Sequence, residues 1–133
     1  MTHPLDADTR LALRHRAARV PLLLAPDDLL ELWNVLAAAT GLSRAIGLND
    51  ARRVKALARL KEHPDRAYWI QVFRKIGLSP FCRGENDRGW TANIDFILTR
   101  SAALRALEGR YDGPVNGKHS DAKDLLQEWL KDE

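Results

Sequence analysis

The sequence predicts an all-α fold, and three observations carry that prediction. Apolar residues recur at helical spacing in several stretches, most regularly at Trp69, Val72, Phe73 and Ile76, which stand at i, i+3, i+4 and i+7. Prolines and glycines punctuate those stretches, at Pro21, Gly41, Pro64, Gly77 and Pro80, where helices stop or cannot resume. No alternating β-rich run, internal repeat or low-complexity tract occurs. The expected architecture is a compact orthogonal helical bundle of about five to seven helices with one polar, glycine-containing loop.

The elements follow in chain order. Residues 5–19 read as a helix with Leu13, Ala17 and Val20 on one apolar edge and Arg10, Arg14 and Arg16 mostly off it. Residues 1–25 form an N-terminal arm, the part expected to be mobile or to pack on a neighbouring chain. A second helix starts near Pro26, where Asp28 and Glu31 have capping-box spacing. Its inward face is Leu29, Leu32, Trp33 and Leu36, and Gly41 ends it. Asn49 caps a third helix running to about His63, with Val54, Leu57, Ala58 and Leu60 expected inward. Asp65 opens the fourth helix, which carries the Trp69 stripe and which Gly77 is expected to terminate. That stripe is core, contributing roughly 1.5–3 kcal/mol for each large side chain buried.

Between Pro80 and Trp90 lies the polar loop, and the core domain is organised around it. It holds two glycines, Gly84 and Gly89, with Glu85 and Asn86 between them and Phe81 and Trp90 at its ends. Such a loop cannot bury its own backbone groups without side chains or a partner to satisfy them. Phe81 and Trp90 are expected to fold back onto the Trp69 stripe. Thr91 is read as the cap of a short helix with Ile94, Ile97 and Leu98, and Ser101 as the cap of another with Leu104, Leu107 and Tyr111 inward. The core domain spans 26–113. Residues 114–119 are a polar linker, and Ser120 caps a last amphipathic helix over 120–133. Its face of Leu125, Leu126 and Trp129 either packs on its own body or enters a groove on another chain.

Length and composition bound the function. A chain of 133 residues with 45% hydrophobic and 29% charged residues is globular and buries a core without disulfides or metal. Cys82 is the only cysteine, which excludes an internal disulfide and a cysteine-rich zinc site. No run approaches the ~20 apolar residues that span a bilayer, and residues 10–25 do not read as a signal peptide. A cytoplasmic protein with no membrane association is expected.

The net charge of +3 is unevenly placed. Residues 1–113 hold 18 Lys and Arg against 13 Asp and Glu, and residues 114–133 hold 3 against 5. A basic body with an acidic tail suits nucleic acid on the body and a protein at the tail. Within the body, Arg52, Lys55 and Arg59 form one stripe of the third helix with Arg53 beside them, and Arg83 and Arg88 stand in the loop. The stripe is either a solvated helix face or a phosphate-contacting one.

The usual catalytic patterns are missing. His3, His15, His63 and His119 sit in different elements at no metal-ligand spacing. Cys82 has no histidine near it and reads as a small buried hydrophobe. Gly84 to Gly89 lacks the Gly-Lys-Ser/Thr ending and the preceding strand of a P-loop. Glu85, Asp87 and Asp95 are explained by pairing with arginines. Neither an enzyme nor a cofactor is expected.

One resemblance adds to this reading. Trp69, Phe73, Ser79, Pro80, Phe81, Arg83, Gly84, Glu85, Asn86, Arg88, Gly89, Trp90, Asp95, Phe96 and Leu107-Glu108-Gly109-Arg110-Tyr111-Asp112 follow a pattern that resembles the C-terminal region of phage and prophage replication proteins of the replisome-organiser or primosome type. Cys82 stands where that pattern has an aliphatic residue. Longer relatives carry an N-terminal helix-turn-helix or winged-helix domain for which residues 1–25 are too few, so origin recognition is not expected. The resemblance implies a non-catalytic accessory module that binds DNA weakly or engages the replicative helicase or its loader. The alternative is a protein-interaction or oligomerisation module without nucleic acid. The loop residues Phe81, Gly84, Glu85, Asn86, Gly89 and Trp90 also admit a purely structural role, as an Ω-like loop.

Overall fold

The computed structural model describes residues 7–113. Within them the chain forms six helices: α1 (Ala7–Ala18), α2 (Pro26–Thr40), α3 (Asp50–Glu62), α4 (Arg66–Leu78), α5 (Ile94–Ile97) and α6 (Ala102–Leu107). The described residues hold no strand, only the isolated bridges Leu23 to Asp65 and Arg83 to Thr91. The all-α expectation is met.

Helices α2 and α4 form the centre. Helices α1 and α3 pack on α2, α6 packs on α4, and α5 on α6. Trp69, Val72, Phe73 and Ile76 of α4 are all buried against Leu29, Leu32, Trp33 and Leu36 of α2 in one apolar cluster. Phe73 meets Trp33 edge-on at 5.9 Å between ring centroids, a geometry that suits the ring quadrupoles, and Trp69 at 6.0 Å with the rings tilted by 48°. Each buried indole still needs an acceptor. Trp33 Nε1 donates to Ser43 O at 3.0 Å and Trp69 Nε1 to His63 O at 2.7 Å. The two core tryptophans thereby fasten the segment after α2 and the turn before α4.

Local chemistry sets the helix ends. Pro26 opens α2, and the Asp28 carboxylate accepts the Ala25 N–H at 2.8 Å. The capping contact thus runs to Ala25, not between Asp28 and Glu31; Glu31 instead pairs with Arg16 of α1. Gly41 closes α2 at φ +77°, a conformation disfavoured for other residues. Residues 42–49 form neither helix nor strand and are held by Asn34, which donates to Ala45 O at 2.9 Å and accepts from Ala45 N at 2.8 Å. Asn49 caps α3 by accepting from Arg52 N.

Several expectations change. Leu13, Ala17 and Val20 are buried in the main core, so the described part of the N-terminal arm belongs to the body. Gly77 does not end α4; it is helical and buried, and the helix runs to Leu78. Asn93, not Thr91, caps α5, accepting from Phe96 N. Leu104 is exposed, and α6 turns Ala102, Ala103 and Ala106 inward instead.

The largest change is the rotation of α3. Val54 is 66% and Leu57 53% exposed, and Ala58 is exposed too, while Ala56 and Leu60 are buried. The sequence offers apolar residues on both sides of this helix. Arg52 and Arg59 are only partly exposed on this helix, and their guanidinium groups lie beside Asp95 and Glu62.

Candidate functional site

The loop after α4 is built by a few side chains. The Ser79 hydroxyl, buried, donates to Tyr111 O and accepts from Cys82 N at 3.1 Å. Pro80 O accepts from Arg83 N and Glu85 N, and Ala92 N returns to Cys82 O at 2.8 Å. Asn86 does the rest. Its Nδ2 donates to Phe81 O at 2.9 Å and Trp90 O at 2.7 Å. Its Oδ1 accepts from Arg88 N at 3.1 Å and Trp90 N at 3.0 Å. Both donors and both acceptor positions of one amide are used. Gly84 has φ +98°, and a Cβ there would lie 3.1 Å from the Thr91 methyl; Gly89 has φ +65° over open space.

Trp90 packs against the core that holds the Trp69 stripe, whereas Phe81 stays exposed, and neither pairs its ring with Trp69 or Phe73. They join Phe96 and Tyr111 in a closed cycle of four rings. Centroid separations are 5.3 Å for Phe81 to Trp90, 4.9 Å for Trp90 to Phe96, 5.6 Å for Phe96 to Tyr111 and 5.9 Å for Tyr111 to Phe81. Within the Trp69 stripe, Phe73 pairs with Trp33 and Trp69, and Trp69 also with Tyr68. The second cluster is half-buried, with Phe81 43% exposed. Phe81 and Trp90, with Asn86, Asp87 and Arg88, line an open cleft of about 520 Å³.

Cys82 is fully buried, and burial pushes its thiol pKa up against the Ser79 hydrogen bond. It packs as a small hydrophobe. Arg83 is half-buried, with Nε and one terminal nitrogen lacking a hydrogen-bond partner. Desolvation pulls its pKa down, opposed by Glu85.

The six cations singled out by the sequence have different surroundings. Arg52 grips Asp95 with two hydrogen bonds, Nε to Oδ1 at 2.9 Å and a terminal nitrogen to Oδ2 at 3.0 Å, and donates to Gly47 O at 3.1 Å. The Arg52 hydrogen bond holds the Asp95 carboxyl below its usual value, against desolvation, with the charges of Arg52 and Lys55 adding to it. Arg53 meets Asp27 at 3.4 Å and Arg59 meets Glu62 at 3.4 Å. Lys55 and Arg88 are exposed. The stripe on α3 is therefore largely matched by carboxylates, through pairings no sequence spacing gives, apart from Arg59 and Glu62. Leu125, Leu126 and Trp129 lie outside the described residues.

Ser79, Asp95, Phe96 and Tyr111 also shape the site; the sequence marks them as positions of the resemblance without singling them out as site residues. Among the described residues no group of His, Cys, Asp and Glu could hold a metal ion, and no helix is long and apolar enough to cross a membrane. No protein-family model, curated protein or solved structure matches the chain.

Proposed function

We propose that this chain is a non-catalytic, cytoplasmic accessory module of phage-type DNA replication, which contacts the DNA backbone, a replicative helicase or its loader. One observation carries the reading. The separated parts of the replication-protein pattern, Pro80 to Trp90, Asp95-Phe96 and Leu107 to Asp112, converge on one place. Their aromatics close a single ring cycle, Ser79 bonds Tyr111 O, Gly113 lies against Pro80, and Lys75 pairs with Asp112 at 2.9 Å. The pattern describes one surface unit, with an aromatic cleft open beside it. Contacts from Lys55, Arg88 and the less tightly held arginines position a backbone without reading sequence.

A second reading is favoured by a specific observation. Arg52 and Arg53 are engaged by Asp95 and Asp27, and α3 exposes Val54 and Leu57, which suits a protein-interaction or oligomerisation module. Fluorescence anisotropy with single- and double-stranded oligonucleotides at two salt concentrations tests the nucleic-acid half, since phosphate-dominated binding falls steeply with salt. Affinity capture with purified helicase and loader tests the other half, with Phe81→Ala and Arg88→Ala as the loop variants. Absence of both interactions in the full chain would overturn the reading; light scattering with Leu57→Ser then tests the oligomerisation module.

A further inference from the structure

A second cleft, of about 280 Å³, opens where the end of α3, the start of α4 and the turn before α6 meet. Arg59, Glu62, His63, Tyr68, Arg100 and Leu104 are among its lining residues. Its ring wall is fixed: the His63 and Tyr68 rings stack at 3.8 Å and 9°. The backbone around them is pinned by Trp69 Nε1 donating to His63 O and His63 N donating to Arg59 O.

Two guanidinium groups share this cleft. The Arg59 side chain is only 12% exposed, and its Nε is buried with no hydrogen-bond acceptor. Its nearest carboxylate, Glu62, stands at 3.4 Å without hydrogen-bond geometry. Arg100 is exposed and has no ion pair among the described residues. Nε itself is enclosed, so an anion entering the cleft meets the exposed remainder of the guanidinium, whose charge is answered, among the described residues, only by Glu62. Tyr68 also lines the cleft, its pKa raised by burial first and Glu62 second. Planar guanidinium forks match the oxygens of a phosphoryl group.

We infer that this cleft is a phosphate site, in which Arg59 and Arg100 take one phosphodiester group of a nucleic-acid backbone between them. The inference rests on the nucleic-acid half of the reading above and locates it. Arg100, some forty residues from Arg59 in sequence, supplies the cation that α3 lacks once Arg52 and Arg53 are taken by carboxylates. Glu62 is then a built-in competitor for Arg59.

That competition gives the test two directions. In the full chain, anisotropy with labelled single- and double-stranded oligonucleotides is measured for Arg100→Ala, Glu62→Gln and, as comparators, Lys55→Ala and Asp8→Asn. Arg100→Ala is expected to weaken binding several-fold and lower the salt slope by about one. Glu62→Gln is expected to tighten it more than Asp8→Asn, an exposed carboxylate outside the cleft that reports the general gain in charge; equal gains in the two would count against the site. Unchanged affinity in Arg100→Ala and Glu62→Gln, with a loss in Lys55→Ala, would overturn the site and leave nucleic-acid binding standing. No binding by the unmodified chain would overturn both. Binding of an acidic peptide, but not of oligonucleotides, that depends on Arg100 would overturn the phosphate assignment.

Discussion

Asn86 and Trp90 exchange two hydrogen bonds across the loop, side-chain amide to backbone, as two paired strand residues would. Nδ2 donates to Trp90 O at 2.7 Å, and Trp90 N donates to Oδ1 at 3.0 Å. Replacing Asn86 with Ala leaves four backbone groups to water. At a net worth of about 0.5–1.5 kcal/mol for each hydrogen bond, partly recovered by solvent, the loss should be roughly 1–3 kcal/mol. Asn86→Asp should fare no better, since a carboxylate cannot donate to the Phe81 and Trp90 carbonyls. Urea unfolding checks the magnitude. Near-ultraviolet circular dichroism should report the loosened Phe81 and Trp90 rings, and an unchanged midpoint and spectrum would refute the assignment.

The two loop glycines should respond unequally. Both have positive φ, so Ala costs about 1–2 kcal/mol of backbone strain at either. Gly84→Ala must also displace the Thr91 methyl, 3.1 Å from the new Cβ, whereas Gly89→Ala enters open space. Gly84→Ala should therefore lower the thermal midpoint further than Gly89→Ala, and the reverse order would contradict the loop geometry.

Leu57 and Leu60, both expected inward from the sequence, should respond differently. Leu60 is buried and Leu57 is 53% exposed. Leu60→Ala should cost about 2–5 kcal/mol, while Leu57→Ser should stay within about 0.5 kcal/mol. Denaturant midpoints of the two variants decide the rotation of α3.

Arg52 and Asp95 should leave a signature in acid. Asp95 has a lowered folded-state pKa, so its contribution is present above the unfolded carboxylate value near ~4. It is lost as pH falls through the lower folded value. With Asp95 54% exposed at its side chain, the pair contributes about 0.2–1 kcal/mol. Asp95→Asn should be that much less stable at neutral pH, with the deficit shrinking in acid. A deficit independent of pH would rule out the ionic contribution.

How much of this was legible can be seen element by element. The Trp69 stripe, the Leu29 to Leu36 face and the caps at Gly41 and Asn49 were readable because each depends on spacing within one helix. The rotation of α3 was not. Its apolar residues fall on two sides, and spacing within the helix does not choose between them. The loop was legible as a loop, with its glycines and Asn86 rightly placed. Its aromatic partners were not, because Tyr111 meets Phe81 and Phe96 meets Trp90 only through the tertiary arrangement. Arg100 carried no sequence signal, being one arginine in a short turn.

Cys82 has an experimental use beyond packing. It is the chain's only thiol and it sits fully enclosed inside the loop, so the unaltered protein should be nearly silent to maleimide reagents. Labelling can proceed only through excursions that expose the sulfur, and its rate under native conditions becomes a clock for local opening of the 79–92 segment. A ligand seated on Phe81 and Trp90 would slow that clock without any spectroscopic tag.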